Sequence, residues 1–279
     1  MKLLKTVLTS FVLAAAATSA SALEVIIPAP ASGVNAVLGQ RITDALNAAN
    51  VKTTSRLAGN CGVGYSLYNQ SKDPVLTIAY NGFSATSECP ITVTKDNVIA
   101  TLFAAPIVVC ARPDVKNPVQ RLTSGAPVTF GIGGVDWPAP VFRELNPNMR
   151  VIAYPGSGVL LKGFAAGDTE FMTSGLLRAS ELMKLGKANC LGNTGNTEIM
   201  GIPPAKKVFP NWKYANSMDQ AFVLIGRNMA PEQMARVRKV VADFVVGPEW
   251  TKFLETSGTV NTQVSIEFFN ETSRNWALR

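Results

Sequence analysis

The chain has 279 residues, of which 47% are hydrophobic and 16% charged. That is enough apolar material for one large domain or two modest ones, and it argues against wholesale disorder. Histidine is absent, which removes Ser-His-Asp and Cys-His catalysis, histidine metal sites and the usual neutral-pH proton shuttle. The formal charge of +7 is scattered along the chain, without the basic stripe and interleaved aromatics that nucleic-acid binding requires.

The first 22 residues read as a secretory leader. Lys2 and Lys5 precede an apolar run from Val7 to Ala17, and Ala20-Ser21-Ala22 supplies the small-x-small pattern that a signal peptidase accepts, with cleavage before Leu23. The run is shorter than the ~20 apolar residues needed to span a bilayer, so no stable membrane insertion is expected once the leader is gone. The mature chain then carries 24 bases and 19 acids, a net +5, which favours anionic solutes at long range. Export permits disulfides. Cys61, Cys89, Cys110 and Cys190 allow three pairings that sequence alone does not resolve; Cys61–Cys89 with Cys110–Cys190 is the one favoured. Their spacing lacks the close pairs of a zinc site, and no metal or cofactor is expected.

In chain order, Leu23 to Pro28 reads as a strand and Val34 to Ala49 as a helix, with Leu38, Ile42 and Leu46 on one face. Strands follow at 51–57 and 74–80, the second ending in the turn chemistry of Asn81-Gly82, with a short helix over 65–70 between them. Two apolar runs, 99–105 and 107–110, close at Arg112-Pro113. Val128 to Ile132 is a strand, and Trp137-Pro138 opens a helix to about Leu145. Strands at 150–154 and 169–173 flank a helix over 159–166, and a helix over 176–185 leads to a short strand at 188–191. Residues 192–219 are weakly periodic. A strand at 220–226, a helix opened by Pro231 at its favoured first-turn position and a short helix at 249–254 complete the pattern. Alternating strands and helices define an α/β fold with largely parallel sheets.

Four segments share one design, a buried strand running into Gly, Ser or Asn: Pro30 to Asn35, Tyr80 to Ser84, Gly131 to Asp136 and Tyr154 to Gly158. Open α/β sheets bind ligands beyond the carboxyl ends of their strands, where helix N-termini offer unpaired N–H groups and small residues admit a ligand to the backbone. The ligand-binding candidates are Ser32, Gly33, Asn35, Asn81, Gly82, Ser84, Gly133, Gly134, Tyr154, Ser157 and Gly158. This set suits a carboxylate held without a full positive charge. Tyr80, Phe83 and Trp137 lie in the same loops and could cover an apolar ligand body, whereas Trp212, Trp250 and Trp276 read as structural. Residues 131–136 lack the third glycine of a dinucleotide fingerprint, Gly156-Ser157-Gly158 is not a nucleophile elbow, and Asp168 with Glu170 reads as a solvated edge rather than a catalytic pair. No catalytic residue is assigned.

These loops also carry a resemblance to the tripartite tricarboxylate transporter substrate-binding proteins, the TctC/Bug family. Ile27 to Asn35 resembles the family's opening strand and loop, Arg56 to Gly64 its second glycine-rich loop, Leu76 to Gly82 the strand and turn that follow, and Phe130 to Asp136 the loop that starts the second lobe. Val151 to Gly158 with Ala166 to Met172 is the most specific stretch. The resemblance implies a type II periplasmic-binding-protein fold, two α/β lobes with a ligand cleft between them, in which backbone N–H groups and ordered waters hold a carboxylate-bearing ligand. It also implies integral membrane transporter subunits as partners. The chain departs from the family at Ser32-Gly33, where paired glycines are usual, at Asn35, where the family generally has Asp, and in its four cysteines.

Together these readings lead to the expectation of a periplasmic, non-enzymatic protein that captures a small organic acid for a membrane transporter. Lobe one is expected at 23–111 plus 221–279 and lobe two at 112–220, with hinges near Ala111 and Gln220. The alternative is a secreted sensor or scaffold module that acts through a protein partner without transport.

Overall fold

The computed structural model describes residues 22–31, 33–84, 88–133, 139–216, 219–256 and 265–276. The expected leader up to Ser21, the candidates Ser32 and Gly134, Trp137 with the start of its helix, and the side chains of Phe83, Ser84 and Trp276 lie outside the described residues.

Ten strands form two five-stranded sheets among the described residues. The first contains β1 (Leu23–Ile27), β2 (Thr53–Leu57), β3 (Val75–Tyr80), β4 (Val98–Ala105) and β10 (Gln220–Arg227), in the order β2-β1-β3-β10-β4. The second contains β5 (Ile107–Ala111), β6 (Val128–Ile132), β7 (Met149–Ala153), β8 (Phe171–Gly175) and β9 (Asn189–Asn193), in the order β7-β6-β8-β5-β9. Each begins with three parallel strands and adds an antiparallel fourth. The plan is therefore the same twice, and the sheets are mixed rather than wholly parallel.

Burial explains the order. β3 is buried along its whole length and β10 over all but its last residue, so their near-continuous apolar runs occupy central positions. β2 exposes four of its five residues and forms an edge. Against the first sheet, α1 (Val34–Ala48) buries Leu38, Ile42 and Leu46 at four-residue spacing, and α9 (Pro231–Val245) buries Val237 and Val241. Trp250, on α10 (Pro248–Thr256), is fully buried among Phe103, Phe244 and Phe253, with ring centroids 5.3–6.2 Å apart. Trp212 is held between Phe142 and Phe209, and its indole N–H donates to the Val141 carbonyl at 2.9 Å.

The chain leaves the first sheet at Pro106, not at Ala111. Residues 107–111 hydrogen-bond to β8 and β9, so they belong with the second sheet. Both apolar runs are buried strands of equal quality, and only Pro106, which has no N–H to continue a ladder, marks the break between them. The return crossing falls just before Gln220, which pairs with Ala105 in the first sheet. The strand expected at 169–173 begins and ends two residues later. Three helices among the described residues went unread in the sequence, α4 (Pro118–Thr123), α8 (Ala205–Val208) and α11 (Ile266–Trp276); the last packs on β10 and on α3 (Asn81–Ser84), with Phe269 buried. That α3 replaces the turn expected at Asn81-Gly82.

The favoured disulfides are both present, Cys61–Cys89 and Cys110–Cys190. The first ties the start of α2 (Cys61–Gln70) to the loop before β4, and the second joins directly opposed residues of β5 and β9. No helix among the described residues is long and apolar enough to cross a membrane.

Candidate functional site

The carboxyl ends of β1, β6, β7 and β8 converge where the two sheets face each other. Three helices begin there: α1, α6 (Ser157–Ala166) and α7 (Leu176–Lys184). Their N-cap residues are Gly33, Gly156 and Gly175. Glycine has no side chain with which to cap, so none of the three first turns is closed by an N-cap side chain; backbone carbonyls take some of the N–H groups, that of Leu176 donating to Pro106 at 3.2 Å. None of these helices has an acid in its first turn, and each end carries roughly half a positive charge.

A cavity of about 70 Å³ lies at this junction. Gly33 and Asn35 line it from the first sheet's side, and Gly133, Gly156, Ser157, Ser174, Gly175 and Arg178 from the second. Tyr80, Phe222 and Gln220 complete its wall. The Tyr80 and Phe222 rings stack with centroids 4.9 Å apart, and Gln220 donates from Nε2 to the Tyr80 hydroxyl at 2.9 Å. Asn35 is 3% exposed and Ser174 1%, yet the Asn35 Nδ2 and Oδ1 and the Ser174 Oγ have no hydrogen-bond partner among the described residues. Each such group costs roughly 1–3 kcal/mol when left unsatisfied. Arg178 adds a guanidinium, ion-paired on its outer side to the half-exposed Glu181.

The two sides meet through glycine. A Cβ on Gly175 would stand 1.9 Å from Gln220 Oε1, and one on Gly156 would stand 3.2 Å from Pro30. Gly156 also has φ +148° and ψ 163°, a region essentially reserved for glycine.

A second chamber, about 650 Å³, continues outward from the same Pro30, Gly133 and Gly156. Tyr154, Pro28, Pro155 and the Cys61–Cys89 disulfide wall it, with Glu88 at its rim. Burial, reinforced by Asp168, raises the pKa of the Tyr154 phenol above its ordinary value; its hydroxyl donates to Asp168 Oδ2 at 3.4 Å.

Of the sequence candidates, Gly33, Asn35, Gly133 and Ser157 line the inner cavity, and Tyr154 lines the outer one with Gly133. Gly158 is buried inside α6 and lines neither. Asn81 and Gly82 also lie elsewhere. The Asn81 amide donates to the Asp219 carbonyl at 2.9 Å and accepts from the Ala221 and Gly82 N–H groups at 2.9 and 3.0 Å. Asn81 is thus a pin at the return crossing and lines neither cavity. Asp168 and Glu170 form no carboxylate pair facing the cleft: Glu170 accepts from Arg121 and from the Thr129 N–H.

Sequence reasoning missed Ser174, Gly175 and Arg178, and with them a full positive charge. The signal was available, because Thr173-Ser174-Gly175 is a fifth strand running into small residues before a helix. Ending that strand two residues early concealed it.

Asp219, beside the pin, accepts from the Thr194 hydroxyl at 3.0 Å. Burial pushes its carboxyl up from an ordinary 3.8 to about 6, the Thr194 hydrogen bond opposing. The folded state therefore holds this proton more tightly than the unfolded chain. The resulting stabilisation is complete below about pH 4 and is lost as pH rises through about 6. Asp219→Asn, which keeps an acceptor for Thr194, should be more stable than the parent well above pH 6 by about 3 kcal/mol, and the two should converge near pH 4. Urea midpoints measured from pH 4 to 7 check this; parallel profiles would contradict it.

No protein-family model and no curated protein matches this sequence. Solved structures do match in fold. MatC from Rhodopseudomonas palustris with bound malate superposes with a TM-score of 0.75 at 14% identity, covering 92% of this chain and 98% of that one. A second R. palustris protein, with adipate, gives 0.74 at 13% identity, covering 91% and 93%. A TctC solute binding protein from Polaromonas gives 0.61 at 18% identity, covering 91% and 96%. The chain has the two-lobed α/β fold of these periplasmic binding proteins, as its loops led one to expect.

Proposed function

We propose that this chain is an extracytoplasmic solute-binding protein of the TctC/Bug kind, which closes its two lobes over a small carboxylate-bearing organic acid and catalyses nothing. One observation carries the reading. Buried polar atoms of Asn35 and Ser174, unpartnered among the described residues, face an inter-lobe cavity that also holds Arg178 and three helix N-termini without a side-chain cap. A carboxylate satisfies the donors among them, accepting from the Asn35 Nδ2, the Ser174 hydroxyl, open backbone N–H groups and the guanidinium, and leaves the Asn35 Oδ1 for a ligand hydroxyl or a water. The malate and adipate of the R. palustris structures support the ligand class. A leader cleaved before Leu23 would place the mature protein in the periplasm, and delivery to integral membrane transporter subunits completes the proposed role.

The inner cavity, about 70 Å³, holds roughly two waters at ~30 Å³ each, below the roughly 300–1,000 Å³ of ordinary ligand sites. A ligand therefore enters an opened form and stabilises closure by its differential affinity, its carboxylate in the inner cavity and its remainder in the outer chamber. The small volume is also the one observation favouring the alternative, a sensor or scaffold module that has lost its ligand. Thermal unfolding of ligand-stripped protein separates the two. Some member of a panel of dicarboxylates, tricarboxylates, amino acids and aromatic acids should stabilise it, by about 2.7 kcal/mol at a hundredfold excess over Kd. No response to any of them would leave the alternative standing.

A further inference from the structure

Resting on the carboxylate-capture reading, we infer that the cleft is polarised and selects an acid whose far end is cationic, an ω-amino acid or betaine-like zwitterion, over a dicarboxylate. The charges facing the two chambers are opposite. Among the described residues lining the inner cavity the only charged side chain is Arg178, and among those lining the outer chamber it is Glu88.

Arg178 and the unpartnered Asn35 and Ser174 fix the carboxylate end inward. The outer end then lies against Pro28, Pro155 and the Tyr154 ring, an apolar and aromatic wall that accommodates methylenes and attracts a cation through the ring face. Glu88 is exposed and makes no ion pair with any described residue. It would attract a terminal ammonium and repel a second carboxylate. The N-terminus of α2 opens onto the same chamber and favours anions. It carries only about half a charge, and one of its N–H groups, that of Val63, is already taken by the Asn60 side chain at 2.9 Å. The full charge of Glu88 outweighs it.

The test uses three acids with the same chain length, 6-aminohexanoate, hexanoate and adipate, titrated calorimetrically into the ligand-stripped mature protein and into Glu88→Gln. The zwitterion should bind the parent about fivefold or more tighter than either of the others, an exposed carboxylate contributing attraction to one probe and repulsion to another. In Glu88→Gln that advantage should fall to about twofold or less, and in Glu88→Lys adipate should become the tightest of the three. Adipate binding the parent as well as the zwitterion, or a selectivity that Glu88→Gln leaves unmoved, overturns the inference while the capture of carboxylates stands. Binding by none of the three overturns it too, and the wider acid panel then decides the parent reading separately.

Discussion

Replacing Arg178 with glutamine should lower the affinity for a carboxylate ligand by roughly 10- to 150-fold, the equivalent of the ~1.5–3 kcal/mol of a hydrogen bond to a charged group, while leaving the fold intact. Arg178 stands in the first turn of α7, and the N-cap of that helix, Gly175, lines the same cavity. A carboxylate there meets a helix end and a planar fork together. The fork also decides the outcome for lysine: Arg178→Lys keeps the charge but loses bidentate geometry, so its affinity should fall between those of parent and glutamine variant. The partner left behind, Glu181, is 49% exposed, so water takes the place of the guanidinium at little cost to stability. Calorimetric titration with the best acid of the panel, beside thermal unfolding of the free proteins, separates the effects. Unchanged affinity in the glutamine variant would remove the guanidinium from the site.

Much of this was legible in the sequence because strand and helix periods announce themselves. The runs VLTIAY and QAFVLIGR could only be central strands, and Leu38, Ile42 and Leu46 could only be the inward face of a helix. The loops at Gly33, Gly133 and Ser157 were readable for the same reason, each a small-residue step between a strand and a helix. What stayed hidden is whatever depends on distant segments meeting. Asn81 and Ser84 follow their strand just as Asn35 follows its own, but β10 returns beside β3 and engages the Asn81 amide. Composition along the chain cannot report that. Arg178 was invisible for a related reason: an arginine on an amphipathic helix ordinarily faces solvent, and only the meeting of its helix start with the loops of the first sheet puts it in a shared cavity. Asn35 reads differently once its surroundings are known. Its amide presents a donor as well as an acceptor, so exchanging aspartate for asparagine at this step does not forfeit an anion; it removes a repulsive charge.

The pin at the crossings carries the other large effect. Asn81 is fully buried, and its side chain satisfies the Asp219 carbonyl and the N–H groups of Gly82 and Ala221. From Asp219 the network continues through the Thr194 hydroxyl to the Ile107 N–H at 3.0 Å, so one chain of hydrogen bonds ties both passages between the sheets. Asn81→Ala removes three bonds at once and leaves backbone groups buried without partners, at roughly 1–3 kcal/mol each before relaxation and entering water reduce the sum. A net loss of about 3–5 kcal/mol is expected, lowering Tm by roughly 6–15 °C in a protein of this size. The affinity of whatever folded protein remains should change far less than in Arg178→Gln, because Asn81 lines neither chamber. The opposite pattern, an unmoved Tm with a collapse in affinity, would mean that Asn81 reaches the ligand and that the lobes are joined by some other set of bonds.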